Sequence, residues 1–531
     1  MTDDGDESKK LTEERVAQEA AGIPRADEAP KVTRKLINDC LFANELGDGI
    51  LYATLFRGRF LYAKSTTTWY EWNGNYWQQD VMNRSLAAVE DVVALYLGEY
   101  KKISSEVSDA IAKGADAKGD PIKKLEGQQD RLLKRASALR AAGKRRAACL
   151  EFAHTLPENP LAIKGEEFDQ QPWLFPCANG VLDLRTGLLN PGVPGDYLSL
   201  ASPIEFLGID YPAPLWEKSL LEIFNGKKEM VAYMQRLLGY CITGIVNQKV
   251  FPVLYGRTGW NGRSLIVETV NYVMGAMAAT IQSEMLLSQR FSKSSSGPSP
   301  DIMSLKGIRL SFASEIEENQ QFSTAKIKKL TGKNTLVGRH PNDKYEVRFA
   351  PTQKIMIETN IQPSAPANDR SFWERMHLIP FDISFVNRDP IEAHERRAIM
   401  DLDDQVRKEA PGILAWLLRG CLFWQQQGLM PPQEVTNAAA EYRRNEDLLG
   451  DFIEACCVLT PAAKVLSKVI YQRYIAWYKE NVDSREKKEP TITAFGKQLG
   501  RVFEKHRVNG IVEYIGIDVK DAPPDDTQLG V

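Results

Sequence analysis

Residues 249–275, KVFPVLYGRTGWNGRSLIVETVNYVMG, contain the stretch that decides the fold. The apolar run at their start is typical of a buried strand and ends at Gly256, and the segment after Ser264 has the pattern of a helix. A glycine-rich loop between a strand and a helix N-terminus is a common phosphate-binding arrangement, because main-chain N–H groups and the helix dipole face the anion. The sequence therefore predicts a phosphate-binding loop within an α/β core.

This loop departs in two places from the common pattern Gly-x-x-x-x-Gly-Lys-[Ser/Thr]. Gly256 stands one residue too early, and Arg263 occupies the position of the lysine. Arginine keeps its positive charge and can bind phosphate oxygens through two N–H groups, but its fork is longer and wider than an ammonium group. We expect the longer loop to make room for Arg263. A chance glycine turn and a weakened site are the alternatives.

Several residues of the loop are candidates for nucleotide binding. The glycines allow the main chain to approach a ligand closely, and the hydroxyl of Ser264 is placed to help hold Mg²⁺. The predicted nucleotide-binding residues are Gly256, Gly259, Trp260, Asn261, Gly262, Arg263 and Ser264.

Three later segments each place a polar residue at a strand terminus. In GIRLSFASEIEE (residues 307–318), Glu315 follows an apolar strand and could polarise a water molecule or support Mg²⁺. In KIMIETNIQP (354–363), Asn360 could sense a γ-phosphate, and in DRSFWERMHLIPF (369–381), Arg375 could complete the site of a neighbouring subunit. Each residue alone has an ordinary structural explanation, such as a cap or a salt bridge. Their order along the chain favours a catalytic set.

The ordered set resembles the superfamily 3 helicases, and more narrowly the phage and plasmid primase-helicase family that is related to the poxvirus one. The matching residues are Gly256, Gly259, Asn261, Gly262, Arg263, Ser264, Ser314, Glu315, Thr359, Asn360, Trp373, Arg375, Ile379, Pro380 and Phe381. NGVLDLRTGLL and MQRLLGYCITG upstream and GILAWLLRGCLFWQQQGLMPPQEV downstream also fit. The resemblance is strong over about residues 170–435 and weak in the flanks.

The resemblance implies an AAA+-like ATPase that forms a hexameric ring and moves 3′ to 5′ on single-stranded DNA, with ATP and Mg²⁺ as cofactors. By the motif match, Ser264 helps to bind Mg²⁺ with Glu315 nearby, and Glu315 is the catalytic acidic residue. Asn360 is the sensor, and Arg375 is an arginine finger that acts in trans. Glu374 stands where the family often has another arginine, which does not alter the finger assignment.

Residues 326–351, KIKKLTGKNTLVGRHPNDKYEVRFAP, are predicted to contain a β-hairpin, which in this family points into the channel of the ring. Positive side chains there could contact the phosphate backbone of DNA. The predicted DNA-binding residues are Lys328, Lys329, Lys333, Arg339, His340 and Lys344. An ordinary charged hairpin is the alternative. Asn334 falls where the family often has Asp and is assigned no role.

The predicted fold is α/β: an AAA+-like P-loop ATPase core with an N-terminal α+β region and a C-terminal winged-helix-like domain. The alternation of aromatic and polar residues around Asn73 predicts a hairpin in the N-terminal region. The expected divisions are a loose tail (1–32), an α+β and helical region (33–156), a helicase-preceding domain (157–245), the ATPase core (246–390), its helical C-terminal part (391–445) and the winged-helix-like domain (446–531).

The flanking regions carry weaker predictions. Residues 491–510, which include Lys497, Arg501, Lys505 and Arg507, could form a basic recognition helix, although a structural helix pair is the alternative. The N-terminal region lacks zinc-ligand spacing and a cluster of catalytic carboxylates, so we predict no primase activity. A separate primase or polymerase is then a possible partner.

Composition excludes few classes of function. The 67 basic and 70 acidic residues give a net charge of -3, so only local clusters can indicate DNA binding. The seven cysteines show no Cys-x-x-Cys pair, which fits reduced thiols and disfavours a zinc site. Without an apolar signal segment at the N-terminus, we expect a protein of the bacterial host cytoplasm with no membrane contact.

Three functions are consistent with the sequence. The leading prediction is an ATP-dependent replicative DNA helicase that binds single- and double-stranded DNA as a homo-oligomer. The second is an origin-binding or helicase-loading ring scaffold with weak or no ATP turnover. The third is a regulatory ATPase without DNA, which the basic hairpin disfavours.

Overall fold

The computed structural model describes residues 32–141, 143–289, 297–314, 316–317, 320–341, 346–481, 490–500, 502–508 and 511–520. In this part of the chain, helices alternate with parallel and antiparallel strands. The protein is therefore of mixed α/β type, as the sequence predicts.

The N-terminal part of the described chain combines helices with one small sheet. Its elements are α1 (Arg34–Phe42), α2 (Asn44–Phe56), β1 (Phe60–Ala63), β2 (Thr68–Trp72), β3 (Trp77–Gln79), α3 (Arg84–Ala87), α4 (Val89–Ala112), α5 (Asp120–Ala141), α6 (Gly143–Thr155) and β4 (Ala162–Ile163). The sheet has the strand order β3-β2-β1-β4. Asn73 closes the turn between β2 and β3, because its Oδ1 accepts hydrogen bonds from the main-chain N–H groups of Asn75 (3.0 Å) and Tyr76 (2.9 Å). This confirms the predicted hairpin.

A second, antiparallel sheet and two helices come next. These elements are β5 (Leu174–Cys177), β6 (Gly180–Asp183), β7 (Leu188–Asn190), α7 (Pro214–Ile223) and α8 (Lys228–Cys241). The apolar side chains of α8 recur at three- and four-residue spacing and are buried. They belong to the same hydrophobic core as the inner faces of the strands that follow.

From residue 251 strands and helices alternate. The elements are β8 (Phe251–Tyr255), α9 (Arg263–Met274), β9 (Ala278–Ile281), α10 (Pro300–Met303), β10 (Leu310–Ala313), α11 (Thr324–Leu330), β11 (Leu336–Gly338), β12 (Val347–Phe349), β13 (Lys354–Thr359), α12 (Arg370–Trp373) and β14 (Met376–Pro380). Of these, β11 and β12 pair as a separate antiparallel hairpin.

The central sheet contains five parallel strands in the order β14-β8-β13-β10-β9. Nearly every residue of β8, β10 and β13 is buried, as expected for strands that are covered on both faces. Because all five strands run in one direction, their carboxyl ends meet at one edge. The segments that follow β8, β13 and β10 therefore emerge side by side.

The next part of the chain packs against this sheet. It comprises β15 (Ser384–Val386), β16 (Glu395–Arg397), α13 (Leu402–Arg407), α14 (Ala410–Gln427) and α15 (Gln433–Asn445). α14 and α8 approach closely: a Cβ atom on Gly420 would lie 2.0 Å from the carbonyl oxygen of Gln235, and one on Gly239 would lie 2.2 Å from the nitrogen of Cys421. Glycine is required at both positions because any side chain would collide with the main chain of the other helix.

Two buried cations hydrogen-bond the amino-terminal ends of β10 and β13 to the part of the chain that precedes the central sheet. Arg309, just before β10, donates to the carbonyl oxygens of Ile242 (2.7 Å) and Leu174. Lys354, the first residue of β13, donates to the carbonyl oxygen of Thr243. Burial lowers the pKa of Lys354 to about 7 and that of Arg309 to about 10. The carbonyl groups at the end of α8 offset part of this desolvation.

The last part of the described chain has a core of its own. It contains α16 (Leu448–Cys456), β17 (Cys457–Val458), β18 (Lys464–Leu466), α17 (Ser467–Asn481), α18 (Ile492–Leu499), β19 (Glu504–Val508), β20 (Ile511–Ile515) and β21 (Asp518–Val519). The proposed basic helix is shorter than predicted, because α18 ends at Leu499. Lys505 and Arg507 lie on strand β19, and Arg501 lies outside the described residues. The winged-helix assignment stays a prediction.

The most apolar stretch of the sequence, residues 412–424, lies within α14, and most of its side chains are buried in the core. Within the ranges that the structure describes, no helix is both long enough and apolar enough to cross a membrane.

Candidate functional site

The loop that joins β8 to α9 has the predicted strand–loop–helix form, and its glycines are needed for conformation and space. A Cβ atom on Gly256 would lie 2.2 Å from Nδ2 of Asn261. Gly262 has φ of +81° at the start of α9, and a Cβ atom there would lie 2.6 Å from the side chain of Ile223. The main chain consequently turns tightly into the helix.

Asn261 holds the loop together from the inside. It is buried, and its Nδ2 donates to the carbonyl oxygen of Thr258 at 2.7 Å. Its Oδ1 accepts from Nε of Arg263 at 2.9 Å. On the outer side, the N–H of Phe385 donates to the carbonyl oxygen of Trp260 at 2.7 Å. These bonds give the loop a defined shape without a ligand.

Trp260 stands at the outer side of the loop. Its side chain is 78% exposed, and its φ of +60° is rarely adopted by a residue with a bulky side chain. Packing in the core therefore explains neither the exposed indole of Trp260 nor its strained main-chain conformation. The prediction that Trp260 contributes to nucleotide binding stays open.

The guanidinium group of Arg263 is directed at Asn261 and at the strand ends. Its side chain is buried, and Nη1 donates to the main-chain carbonyl oxygens of Leu254 (3.3 Å) and Thr359. These carbonyls belong to the ends of β8 and β13, so the guanidinium group bridges two strands beneath the loop. Burial lowers the pKa of Arg263. The prediction that this residue binds phosphate is untested, and the residue has a structural role that the sequence did not indicate.

The next residue, Ser264, contacts a carboxylate that the sequence analysis missed. Its Oγ donates to Oε1 of Glu358 at 3.2 Å, and Nε of Arg263 lies 3.9 Å from the same oxygen. Glu358 is the penultimate residue of β13. The signal in the sequence was a charged residue at the end of an otherwise apolar strand, directly before the Thr359-Asn360 pair.

The other predicted members of the catalytic set differ in where they lie. Asn360 is exposed directly after β13, next to the start of the loop, where the N–H of Gly256 donates to the carbonyl oxygen of Thr359 at 3.3 Å. Glu315 lies outside the described residues. The strand β10 ends at Ala313, which pairs with Ile357 of β13. The chain that follows β10 therefore emerges at the same edge of the sheet.

Arg375 lies at the opposite edge of the sheet. It precedes β14, whose first residue, Met376, pairs with Phe251 at the start of β8, whereas the loop follows the end of β8. Nη1 of Arg375 is bound to Oγ of Ser371 at 2.9 Å, and Nε is buried with no hydrogen-bond partner among the described residues. Arg375 is thus separated from the loop of its own chain by the length of a strand, roughly 16 Å.

The predicted DNA-binding cations also fall into different environments. Lys328, on α11, forms a salt bridge of 2.8 Å with Asp369, which caps α12. Lys329, Lys333 and His340 are exposed, and Arg339 is partly buried at the end of β11. Lys344 lies outside the described residues. Lys329, Lys333 and His340 are therefore more accessible to a ligand than Lys328.

Comparison with known proteins supports the resemblance found in the motifs. Residues 50–225 match the protein-family model described as "D5 N terminal like". This match begins well before residue 170, so the similarity extends further into the N-terminal part than the motifs indicated.

Curated relatives come from viruses. A protein of Acanthamoeba polyphaga mimivirus named "Putative helicase" is 28% identical over 326 residues, which cover 59% of this chain and 34% of the relative. A protein of African swine fever virus named "Putative primase" is 23% identical over 344 residues, which cover 60% of this chain and 34% of the relative. The chain thus spans about a third of the length of these relatives.

A solved structure titled as the apo structure of the NrS-1 C-terminal region also aligns with the chain, at 13% identity and a TM-score of 0.36. The alignment covers 62% of this chain and 88% of that one, but the score is too low to define a common fold. The family match and the viral relatives show that this chain is similar to viral proteins named as helicases and primases. These similarities support the resemblance of this chain to the phage and viral primase-helicase family.

Proposed function

We propose that this protein is an ATP-dependent DNA helicase of the replicative, mobile-element type, with an AAA+-like P-loop core. The observation that carries the proposal is the position of three segments at one edge of the sheet. The loop at 256–262, the segment after β10 and Asn360 follow the carboxyl ends of adjacent parallel strands. Ligands of open α/β sheets bind in that location.

The residues at this edge fit a nucleotide with Mg²⁺. The N-terminus of α9 offers main-chain N–H groups to phosphate oxygens. Ser264 and Glu358 present a hydroxyl and a carboxylate oxygen 3.2 Å apart, and Mg²⁺ is usually held by one or two such oxygens together with substrate phosphates. In the described part of the chain no cluster of three or more His, Cys, Asp or Glu side chains forms a metal site. A shared nucleotide–metal site accordingly fits better than an independent metal centre.

In the proposed reaction, the loop binds and orients the phosphates, and Arg263 keeps the loop fixed to the sheet. Glu315 would position the attacking water, and Asn360 would orient it or sense the γ-phosphate. Bound Mg²⁺ would supply charge neutralisation of the phosphates. Arg375 would act on the site of a neighbouring subunit in a homo-oligomer. We propose that this oligomer is a hexamer and that it moves 3′ to 5′ on single-stranded DNA.

DNA would be contacted by the hairpin of β11 and β12 and the segment before it. Lys329, Lys333 and His340 are exposed there and carry or can carry positive charge. The C-terminal part is proposed to be a winged-helix-like domain that binds double-stranded DNA. A separate primase or polymerase would then act with this chain.

One observation favours the second candidate, a ring scaffold with weak or no ATP turnover. The cation in the lysine position of the loop is bound to main-chain carbonyls rather than directed at the ligand space. Turnover distinguishes the two candidates.

The decisive experiment is ATP hydrolysis by the purified protein with and without single-stranded DNA, alongside Arg263→Ala and Arg263→Lys. Arg84→Ala, which removes an exposed arginine from the N-terminal part, is the matched control. We expect DNA-stimulated turnover that is lost in Arg263→Ala and kept in the control. Absence of turnover in the wild type, with a gain in Arg263→Lys, would instead identify a dormant site and favour the scaffold.

A further inference from the structure

Glu358 is a charged residue in an apolar setting. Its neighbours Ile355, Met356 and Ile357 on β13 are completely buried, and the glutamate side chain itself is only 19% exposed. Placing a carboxylate in such surroundings costs free energy unless it is paired or bound. Its position must therefore be explained by the groups that it faces.

The groups that face Glu358 belong to the phosphate loop. Oε1 accepts a hydrogen bond of 3.2 Å from Oγ of Ser264, the second residue of α9. Among the described residues, the nearest cation is Arg263, whose Nε lies 3.9 Å away. This distance is too long for a hydrogen bond, and the donors of Arg263 are directed at Asn261, Leu254 and Thr359 instead. The salt bridge with Arg263 alone does not account for a partly buried carboxylate at position 358.

The position of Glu358 is electrostatically unusual for a site that binds polyphosphate. The carboxylate lies at the N-terminal turn of α9, where the helix dipole favours an anion. A nucleotide bound to the same turn would bring several negative charges close to it, and like charges at such distances repel strongly in a partly buried site. A divalent cation between the carboxylate and the phosphates converts this repulsion into attraction.

We propose that Glu358 positions the divalent cation of the nucleotide site together with Ser264. The inference rests on the proposed function, since it assigns a further residue to the same nucleotide site. In the absence of ligand, Glu358 holds the Ser264 hydroxyl in place. With nucleotide and metal bound, its carboxylate oxygens position the divalent cation, for which carboxylate and hydroxyl oxygens are suitable ligands.

This role predicts opposite effects of one substitution under two conditions. Without a divalent cation, Glu358→Gln removes a negative charge beside the phosphates and strengthens nucleotide binding. With Mg²⁺, the same substitution removes a carboxylate that favours the cation and weakens binding. A purely structural role would change both affinities in the same direction, because a disturbed loop binds less well with or without metal.

The test is equilibrium binding of a fluorescent ATP analogue to the 531-residue chain, in EDTA and in Mg²⁺, for the wild type, Glu358→Gln and Glu358→Asp. Glu268→Gln is the matched control, since it removes an exposed carboxylate of α9 that pairs with Arg407. We expect Mg²⁺ to tighten binding to the wild type and the control by about tenfold, or about 1.4 kcal/mol. In Glu358→Gln this gain should largely vanish while affinity in EDTA rises, and Glu358→Asp should keep part of the gain.

The outcomes separate the two proposals. If the wild type binds the analogue and Glu358→Gln retains the full Mg²⁺ gain, the role of Glu358 is wrong and the nucleotide site stands. If both affinities of Glu358→Gln fall together, Glu358 is structural and the inference is also wrong. If the wild type binds no analogue in either condition, the proposed nucleotide function fails and the inference fails with it. Should Glu358→Gln not fold, the graded loss expected in Glu358→Asp decides.

Discussion

The guanidinium group of Arg263 donates to the main-chain carbonyl of Thr359 and so joins the first residue of α9 to the last residue of β13. Leu254, in β8, accepts from the same nitrogen at 3.3 Å. One buried side chain therefore fixes the loop, the helix and two neighbouring strands relative to one another. The geometry of the candidate site depends on this residue even before a ligand binds.

Arg263→Ala is expected to lower stability. It removes the charged donor to the carbonyls of Leu254 and Thr359 and to the Oδ1 of Asn261, and a hydrogen bond to a charged group contributes about 1.5–3 kcal/mol. Arg263→Lys should recover only part of the loss, because an ammonium group cannot reproduce the planar fork. Thermal unfolding of both variants measures the effect. Ser264→Ala, which removes one exposed hydrogen bond, is the control, and an Arg263→Ala midpoint no lower than that of the control contradicts the role.

Trp260 should report on nucleotide binding. It is exposed, whereas the other tryptophans, all of which the structure describes, are buried or partly buried. Iodide should therefore quench Trp260 preferentially, and a nucleotide seated on the loop should reduce the quenchable fraction of the emission. Trp260→Phe should remove most of the iodide-accessible signal and the response to nucleotide. An unchanged quenching curve for the wild type with bound nucleotide would show that Trp260 lies away from the ligand.

Arg375 should act only between subunits. Because it lies roughly one strand length from the loop of its own chain, it cannot reach that site without a large rearrangement. We expect Arg375→Ala and Arg263→Ala each to abolish ATP turnover. A mixture of the two variants should regain part of the turnover, at interfaces where the intact loop of one subunit meets the intact Arg375 of its neighbour. The measurement is turnover as a function of mixing ratio.

Arg370→Ala is the control for this experiment, since Arg370 is an exposed arginine on the nearby helix α12 that pairs with Glu374 at 2.6 Å. It should retain turnover when pure. Mixtures that show no more activity than the separate variants would contradict a finger that acts in trans.

Lys333 and Lys328 should differ in their effect on DNA binding. Lys333 is exposed, whereas Lys328 is held by Asp369. If Lys333 contacts a phosphate of single-stranded DNA, Lys333→Ala should reduce the slope of log affinity against log salt by about 0.7. Lys328→Ala should leave that slope unchanged and lower the unfolding midpoint instead. Equal slopes for Lys333→Ala and the wild type would exclude a contact by Lys333.

The parts of the site that the sequence predicted are those encoded by neighbouring residues. An apolar run, a glycine-rich loop and a helical pattern define β8, the loop and α9, because each depends on local spacing. The hairpin closed by Asn73 was predictable for the same reason. Parallel strands then bring the segments after β8 and β13 to one edge.

The interactions that the sequence did not predict join residues that are distant in the chain. Glu358 and Ser264 are 94 positions apart, and their contact depends on β13 lying beside β8. Lys328 looked like a free cation, but it pairs with Asp369, which is 41 positions away. The direction of the Arg263 side chain likewise follows from the acceptors that the strand ends offer. A linear pattern contains no information on such partners.

His377 should make stability dependent on pH. It is mostly buried in β14, where its Nδ1 lies 2.6 Å from the hydroxyl of Tyr233, and burial lowers its pKa from 6.5 to about 4. Between these values the unfolded chain binds a proton that the folded chain does not. The contribution of His377 is therefore fully present above pH 6.5 and is lost as the pH falls towards 4, by at most about 1.4 kcal/mol per pH unit.

His377→Gln removes this titration, so its stability relative to the wild type should improve steadily as the pH is lowered from 6.5 to 4. The measurement is the difference in unfolding midpoint between the two proteins at a series of pH values. His394→Gln, which removes an exposed histidine, is the matched control. A difference between His377→Gln and the wild type that stays constant across this range would contradict a buried, neutral imidazole, because only a group that titrates differently in the two states makes the difference depend on pH.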